Sequence, residues 1–167
     1  STEPLDFAIS SPDMVEPYFD VPANRECEQA LPVAFSCNNS NPEIRWEGVP
    51  EGTVSLALIF DDPTAGGFDH WAIFNIDPSE TGLDAGISGR DVNNNPPGDA
   101  VELENGFGWD GYLGSCPSGV NLYSWRLYAL DDELDAGITT YGALQVAAED
   151  AQIERAEMCH VFDGSQI

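Results

Sequence analysis

Apolar and polar positions group most clearly between Ser55 and Ile76, where two apolar runs flank a short acidic stretch in SLALIFDDPTAGGFDHWAIFNI. In the first run Leu56, Leu58 and Phe60 fall on one face and Ala57 and Ile59 on the other. Both faces are therefore apolar, which is the pattern of a central strand. Trp71, Ile73 and Phe74 give the second run aromatic and β-branched residues suited to a pleated surface. Pro63, Gly66 and Gly67 forbid a continuous strand or helix, so the chain is expected to turn, over about ten residues.

The other elements follow from weaker patterns. Leu5 to Ile9 alternates as an edge strand does, and Pro12, Pro17 and Pro22 then mark an extended segment read as a peripheral hairpin. Val33, Ala34 and Phe35 are expected to return to the core before Cys37, and the turn-rich segment that follows is expected to be pinned there by Trp46. Residues 77 to 119 read as one long irregular region. In the next run Leu122, Ser124, Arg126 and Tyr128 alternate with Tyr123, Trp125, Leu127 and Ala129, another buried strand. Ala143 to Met158 reads as a helix with Leu144, Ala147, Ala148, Ala151 and Met158 on one stripe, and His160 near its end in a structural role.

A chain of 167 residues suits one domain over its whole length, with one core. No apolar run approaches the ~20 residues of a membrane span, and Ser1-Thr2-Glu3-Pro4 reads as a mature start after a removed leader. Thirty acids face five bases, all arginine, for a net charge of −25. That field repels nucleic-acid phosphate and anionic membrane surfaces, which argues against both as partners. Cys27, Cys37, Cys116 and Cys159 lack the close spacing of a zinc site, and an even count fits two disulfides and an extracytoplasmic location.

Candidate chemistry concentrates in three places. Asp61, Asp62, Asp69 and His70 gather where the first two strands leave the core, and an ionised Asp beside an imidazole orients the ring and favours its cationic form. DVNNNPPGDAVE spaces Asp91, Asn93, Asn95, Asp99 and Glu102 as a calcium loop does, but Pro96 stands where such a loop turns on glycine, so it reads as a surface loop with no metal. Asn105 to Gly119 carries five glycines that let backbone approach a ligand, with Phe107, Trp109 and Tyr112 as candidate pocket walls.

Taken in order, these stretches resemble the phosphatidylethanolamine-binding protein family, in particular its bacterial and archaeal Raf kinase inhibitor-like branch. The motifs that carry the resemblance are Asp62-Pro63-Thr64-Ala65 with His70-Trp71, Phe107-Gly108, Gly111-Tyr112, Gly114-Ser115-Cys116-Pro117, Asn121-Leu122-Tyr123, Leu127 to Leu130 and Cys159-His160-Val161. The loop from Cys37 to Trp46 is also similar to one in the family. The resemblance implies a mainly β fold, a two-sheet Greek-key β-sandwich with peripheral helices including a C-terminal helix. It also implies a small pocket for anions or a phospholipid head group, with no cofactor. Carried over, that pocket comprises Asp62, His70, Gly114 and Tyr123, with Asn121 and Ser115 at its edge. Thr64, Ser115 and Asn121 depart from the family pattern, and the last replaces an imidazole, which favours a neutral or amine-bearing ligand more than in the family at large.

The function expected on this basis is a non-enzymatic binding module, exported, regulating or inhibiting a protein partner such as a protease or kinase. Two alternatives compete with it. One is a cysteine-dependent hydrolase using Cys116 and His70; the other is an inhibitor that works by surface contact with a vestigial pocket. Four cysteines allow three pairings; Cys37 with Cys116 is preferred because both flank the implied pocket, which leaves Cys27 with Cys159.

Overall fold

A computed structural model describes residues 3–167, so the proposed mature start at Ser1 and Thr2 lies outside the described residues. Its elements run β1 (Ala8–Ser10), β2 (Ile44–Glu47), β3 (Ser55–Asp62), β4 (Phe68–Ile76), β5 (Gly82–Leu83), β6 (Val101–Glu102), β7 (Val120–Leu130), α1 (Tyr141–Ala151) and β8 (Gln152–Asp163). They form a five-stranded antiparallel sheet in the order β6-β4-β3-β7-β8 and a three-stranded sheet in the order β1-β2-β5.

The doubly apolar run is β3, the middle strand of the larger sheet, and each of its faces has its own cover. Leu56, Leu58 and Phe60 join Trp71, Ile73, Trp125 and Leu127 in a cluster with Ile9, Ile44, Trp46 and Leu83 of the smaller sheet. Ala57 and Ile59, on the other face, pack with Ala72, Phe74, Tyr128 and Leu130 against Tyr141, Leu144 and Ala148 of α1. Each large side chain sealed this way contributes on the order of 2 kcal/mol. The sheet is thus rigid where β3, β4 and β7 end together.

Three sequence expectations are corrected. The helix does not reach Met158; it stops at Ala151, and Gln152 turns to extended backbone to begin β8. Residues 152–158 are good helix formers, but β8 pairs with β7 along its whole length, and satisfying that strand's open edge outweighs local propensity. The segment after β1 forms no hairpin with it, because β1 pairs with β2 through Ala8 and Glu47, Ile9 and Trp46, and Ser10 and Arg45. Val33–Phe35 is a 3-10 turn without buried residues, and Ala30 and Leu31 enter the core in its place. Trp46 is buried as expected and donates from Nε1 to the Glu80 carbonyl at 2.8 Å.

All four cysteines are paired. Cys37 bonds to Cys116 with Cα atoms 4.8 Å apart, and Cys27 bonds to Cys159 with Cα atoms 6.2 Å apart. The first pair ties the segment before β2 to the glycine-rich loop, and the second ties the N-terminal region to β8.

Candidate functional site

Asp62 ends β3 and caps its own turn. Its Oδ1 accepts from the amides of Thr64 at 2.9 Å and Ala65 at 3.1 Å and from the Thr64 hydroxyl at 2.5 Å. Pro63 presets the first helical position of that 3-10 turn. Gly66, at φ 71°, supplies the left-handed step that β-carbon sterics disfavour, and β4 starts at Phe68. The reversal therefore occupies five residues, 63–67, about half the length expected, because one buried carboxylate replaces a longer loop's worth of backbone bonds. Oδ2 of Asp62 accepts from Asn121 Nδ2 at 2.7 Å, so four donors hold a carboxylate that is only 3% exposed. Asp61, one residue earlier and on the opposite face, makes two 3.0 Å bonds with the guanidinium of Arg126.

His70 lies on β4 with Nδ1 2.8 Å from the carbonyl of Leu113. A carbonyl accepts and does not donate, so Nδ1 carries the proton and Nε2 is the nitrogen left for a ligand. Phe60 stacks on the ring with centroids 5.0 Å apart, and Tyr123 meets it edge-on at 5.3 Å. The expected Asp–His pairing is corrected here: a backbone carbonyl, not a carboxylate, orients the imidazole. Burial lowers the pKa of His70 from its ordinary value, and the Leu113 hydrogen bond and the charges of Asp62 and Asp61 oppose that shift without reversing it. At neutral pH the ring is uncharged and Nε2 is an acceptor.

The other imidazole also packs on Tyr123. His160 sits on β8, fully buried and parallel to the Tyr123 ring, centroids 4.7 Å apart. Trp125 Nε1, which can only donate, meets His160 Nδ1 at 2.9 Å. That bond fixes the neutral tautomer with the proton on Nε2, which faces the Ser115 hydroxyl at 3.3 Å. Burial, with His70 as a second cause, pulls the His160 pKa down to about 3. The residue expected at a helix end is thus a neutral brace in a strand.

A cavity of about 340 Å³ opens beside these groups. It is lined by five of the six residues expected at the site, namely Asp62, His70, Gly114, Asn121 and Tyr123. Ser115, the sixth, is fully buried and does not line it, since its hydroxyl turns back to His160. Burial first, and the charge of Asp62 second, raise the Tyr123 phenol, which stays protonated as a donor. Gly114 donates its N–H to Asn39 Oδ1 at 3.0 Å, and a β-carbon there would come within 1.8 Å of the Ser36 carbonyl oxygen. This glycine accommodates a strap of protein, residues 36–39, across the cavity wall.

The outer wall is aromatic. Phe68, Phe107 and Trp109 line the cavity, and Phe107 meets Phe68 at 5.6 Å and Trp109 at 5.7 Å, both edge-to-face. Tyr112, expected beside them, is fully buried instead, with its hydroxyl donating to the Phe35 carbonyl at 2.6 Å. Both cysteines of the Cys37–Cys116 bridge also line the cavity, so the thiol required by the hydrolase alternative does not exist in this structure. Sequence reasoning missed Asn39 and Leu113: the first sat in a run of turn formers, and the second acts through its carbonyl, which leaves no mark in a sequence. No helix among the described residues is long and apolar enough to cross a membrane.

Comparison with known proteins identifies the family and the fold. The family model described as phosphatidylethanolamine-binding protein matches residues 23–163. A UPF0098 protein of Methanothermobacter thermautotrophicus is 46% identical over 110 residues, covering 63% of this chain and 71% of that protein. A Mycobacterium tuberculosis protein, LppC, named as a lipoprotein, is 33% identical over 143 residues, covering 80% of this chain and 66% of its own. The crystal structure of Escherichia coli YbcL, described as a new member of the mammalian PEBP family, superposes with a TM-score of 0.77 at 26% identity over 95% of this chain and 98% of that one.

Proposed function

Since this chain belongs to the phosphatidylethanolamine-binding protein family, we propose that it is a non-enzymatic binding module whose cavity takes the anionic head of a small ligand, of the phosphate or carboxylate type. One observation carries the reading: β3, β4, β7 and the glycine-rich loop deliver Asp62, His70, Asn121, Tyr123 and Gly114 to one cavity in which His70 keeps Nε2 free. Among the described residues no lysine or arginine lines that cavity. His70 is therefore the one lining side chain able to become a cation, and an anion enters together with a proton on Nε2. Asp62 does not simply repel the guest, because four donors already surround its carboxylate.

A second reading has its own support. A carboxylate beside Phe68 and Tyr123, in a cavity that no basic side chain among the described residues lines except His70, also suits an organic ammonium. Regulation of a protein partner follows the expectation set by the resemblance, and an extracytoplasmic location is supported by the two disulfides and by the lipoprotein name of LppC.

Calorimetric titration of wild type and His70→Ala with phosphate, acetate, phosphoethanolamine and ethanolamine tests the reading. Anion binding that disappears in His70→Ala is the expected result. Binding of ethanolamine alone would establish the ammonium reading, and anion binding of equal strength in both proteins would remove His70 from the site.

A further inference from the structure

We propose that Asn39 is a further ligand-contacting residue, which offers its side-chain Nδ2 as an uncharged donor to the anion held at His70; this rests on the function proposed above. Gly114 N–H can only donate, so the Asn39 atom 3.0 Å from it is Oδ1, and the amide orientation follows without ambiguity. Nδ2 is then the other corner of the planar amide, turned away from the Gly114 N–H. It meets no acceptor among the described residues, and it is not among the buried polar atoms left without a partner. Asn39 lines the cavity and is half-buried, and its Nδ2 is a donor that no protein acceptor has taken up.

The backbone that carries it is fixed at three points. Asn39 N–H donates to Asp91 Oδ2 at 2.8 Å, and its carbonyl accepts from Asp91 N–H at 3.1 Å. Two residues earlier Cys37 is bonded to Cys116. The missing side chain of Gly114 leaves room for the strap, as a β-carbon would lie 2.3 Å from the Asn38 carbonyl oxygen. A donor held this way loses little freedom when it meets a ligand.

The consequence differs from the role expected of Gly114. Its amide is occupied by Asn39 Oδ1, and the amide of Asn39 passes donor capacity on into the cavity through Nδ2. Asp91, the first residue of the apparent calcium loop, thereby has a defined duty in positioning Asn39.

The test is nuclear magnetic resonance of 15N-labelled protein titrated with inorganic phosphate at mildly acidic pH. The Asn39 side-chain NH2 signals move downfield and saturate at the same phosphate concentration as the His70 ring signals. Asn39→Asp keeps an acceptor for Gly114 N–H, removes the donor and adds a charge, and it weakens phosphate by about tenfold or more without lowering the melting temperature. His70 signals that respond while the Asn39 amide stays still, or an Asn39→Asp protein that binds phosphate as wild type does, overturn the inference and leave the proposed function standing. Silence at both residues overturns the two together.

Discussion

The two histidines pack on the same tyrosine and show what separates a site from a scaffold. His70 and His160 both lie against Tyr123, at 5.3 and 4.7 Å between centroids, and both are buried. His160 has both nitrogens spoken for, by Trp125 and Ser115. His70 has one, and the other belongs to the cavity. Each also stands near its own disulfide, Cys37–Cys116 in the cavity wall and Cys27–Cys159 beside His160. Burial alone does not distinguish them; the count of unspent donors and acceptors does.

Breaking the bridges gives the largest expected effect. Each closes a long loop, 132 and 79 residues of separation, and its removal as a paired Cys→Ala variant is expected to cost about 2–4 kcal/mol in urea denaturation. The two variants part company in ligand titrations. Loss of Cys27–Cys159 leaves phosphate affinity intact, whereas loss of Cys37–Cys116 frees the Asn39 strap and weakens it. Equal binding losses in both would erase the distinction between the bridge in the cavity wall and the bridge beside His160.

Next in size is the contrast between single substitutions. His160→Ala empties a packed site and strands the Trp125 N–H, for an expected loss of about 3 kcal/mol. His70→Ala costs about half as much, since the residue borders the cavity, but it removes anion binding. Paired urea curves and calorimetry on the two proteins check the crossing pattern.

Acid sharpens the comparison through linkage. The His160 pKa is about 3 folded and near 6.5 unfolded, so the unfolded chain binds the extra proton between those values. Stability from this group is therefore complete above about pH 6.5 and falls by about 1.4 kcal/mol per unit as pH drops toward 3. His160→Gln stays neutral throughout, so subtracting its pH–stability curve from that of wild type isolates the slope. For His70, whose pKa is also lowered in the fold, the same pH change acts on binding with opposite benefit. Acetate affinity rises by up to about tenfold per unit as pH falls from 8 toward the His70 pKa, then levels off. Isothermal titration at four pH values measures it.

The smallest effect concerns the turn. Thr64→Val removes one of the four donors to Asp62 and is expected to cost about 1 kcal/mol in urea denaturation, with phosphate affinity changed by less than about threefold. A larger binding loss would make Asp62 a direct contact whose geometry the turn controls.

Much of this was legible from residue order. The doubly apolar Leu56 to Phe60 run marked the central strand because a strand covered on both faces cannot tolerate polar positions on either. The motif resemblance carried Asp62, His70, Gly114, Asn121 and Tyr123 to one cavity, and both disulfides pair as preferred. The misses share a cause, which is that non-local partners decide what local pattern leaves open. Residues 152–158 read as helix because their propensities are helical, and only the unpaired edge of β7 makes them a strand. Asp62 and His70 read as a pair because they are close in sequence, yet one spends its oxygens on Thr64, Ala65 and Asn121 and the other its proton on Leu113, 43 residues away. Asn39 gave no signal, since an asparagine in a turn-rich segment is ordinary until the backbone it faces is known.

The most direct test of the account is the protonation state of the two rings, read from 15N-histidine spectra at pH 7 with and without sulfate, an anion that does not itself titrate there. The account predicts that sulfate converts His70 Nε2 from an unprotonated to a protonated nitrogen while His160 keeps its neutral Nε2–H tautomer. Sulfate bound beside a His70 that stays neutral, or a second proton appearing on His160 at Nδ1, would contradict it.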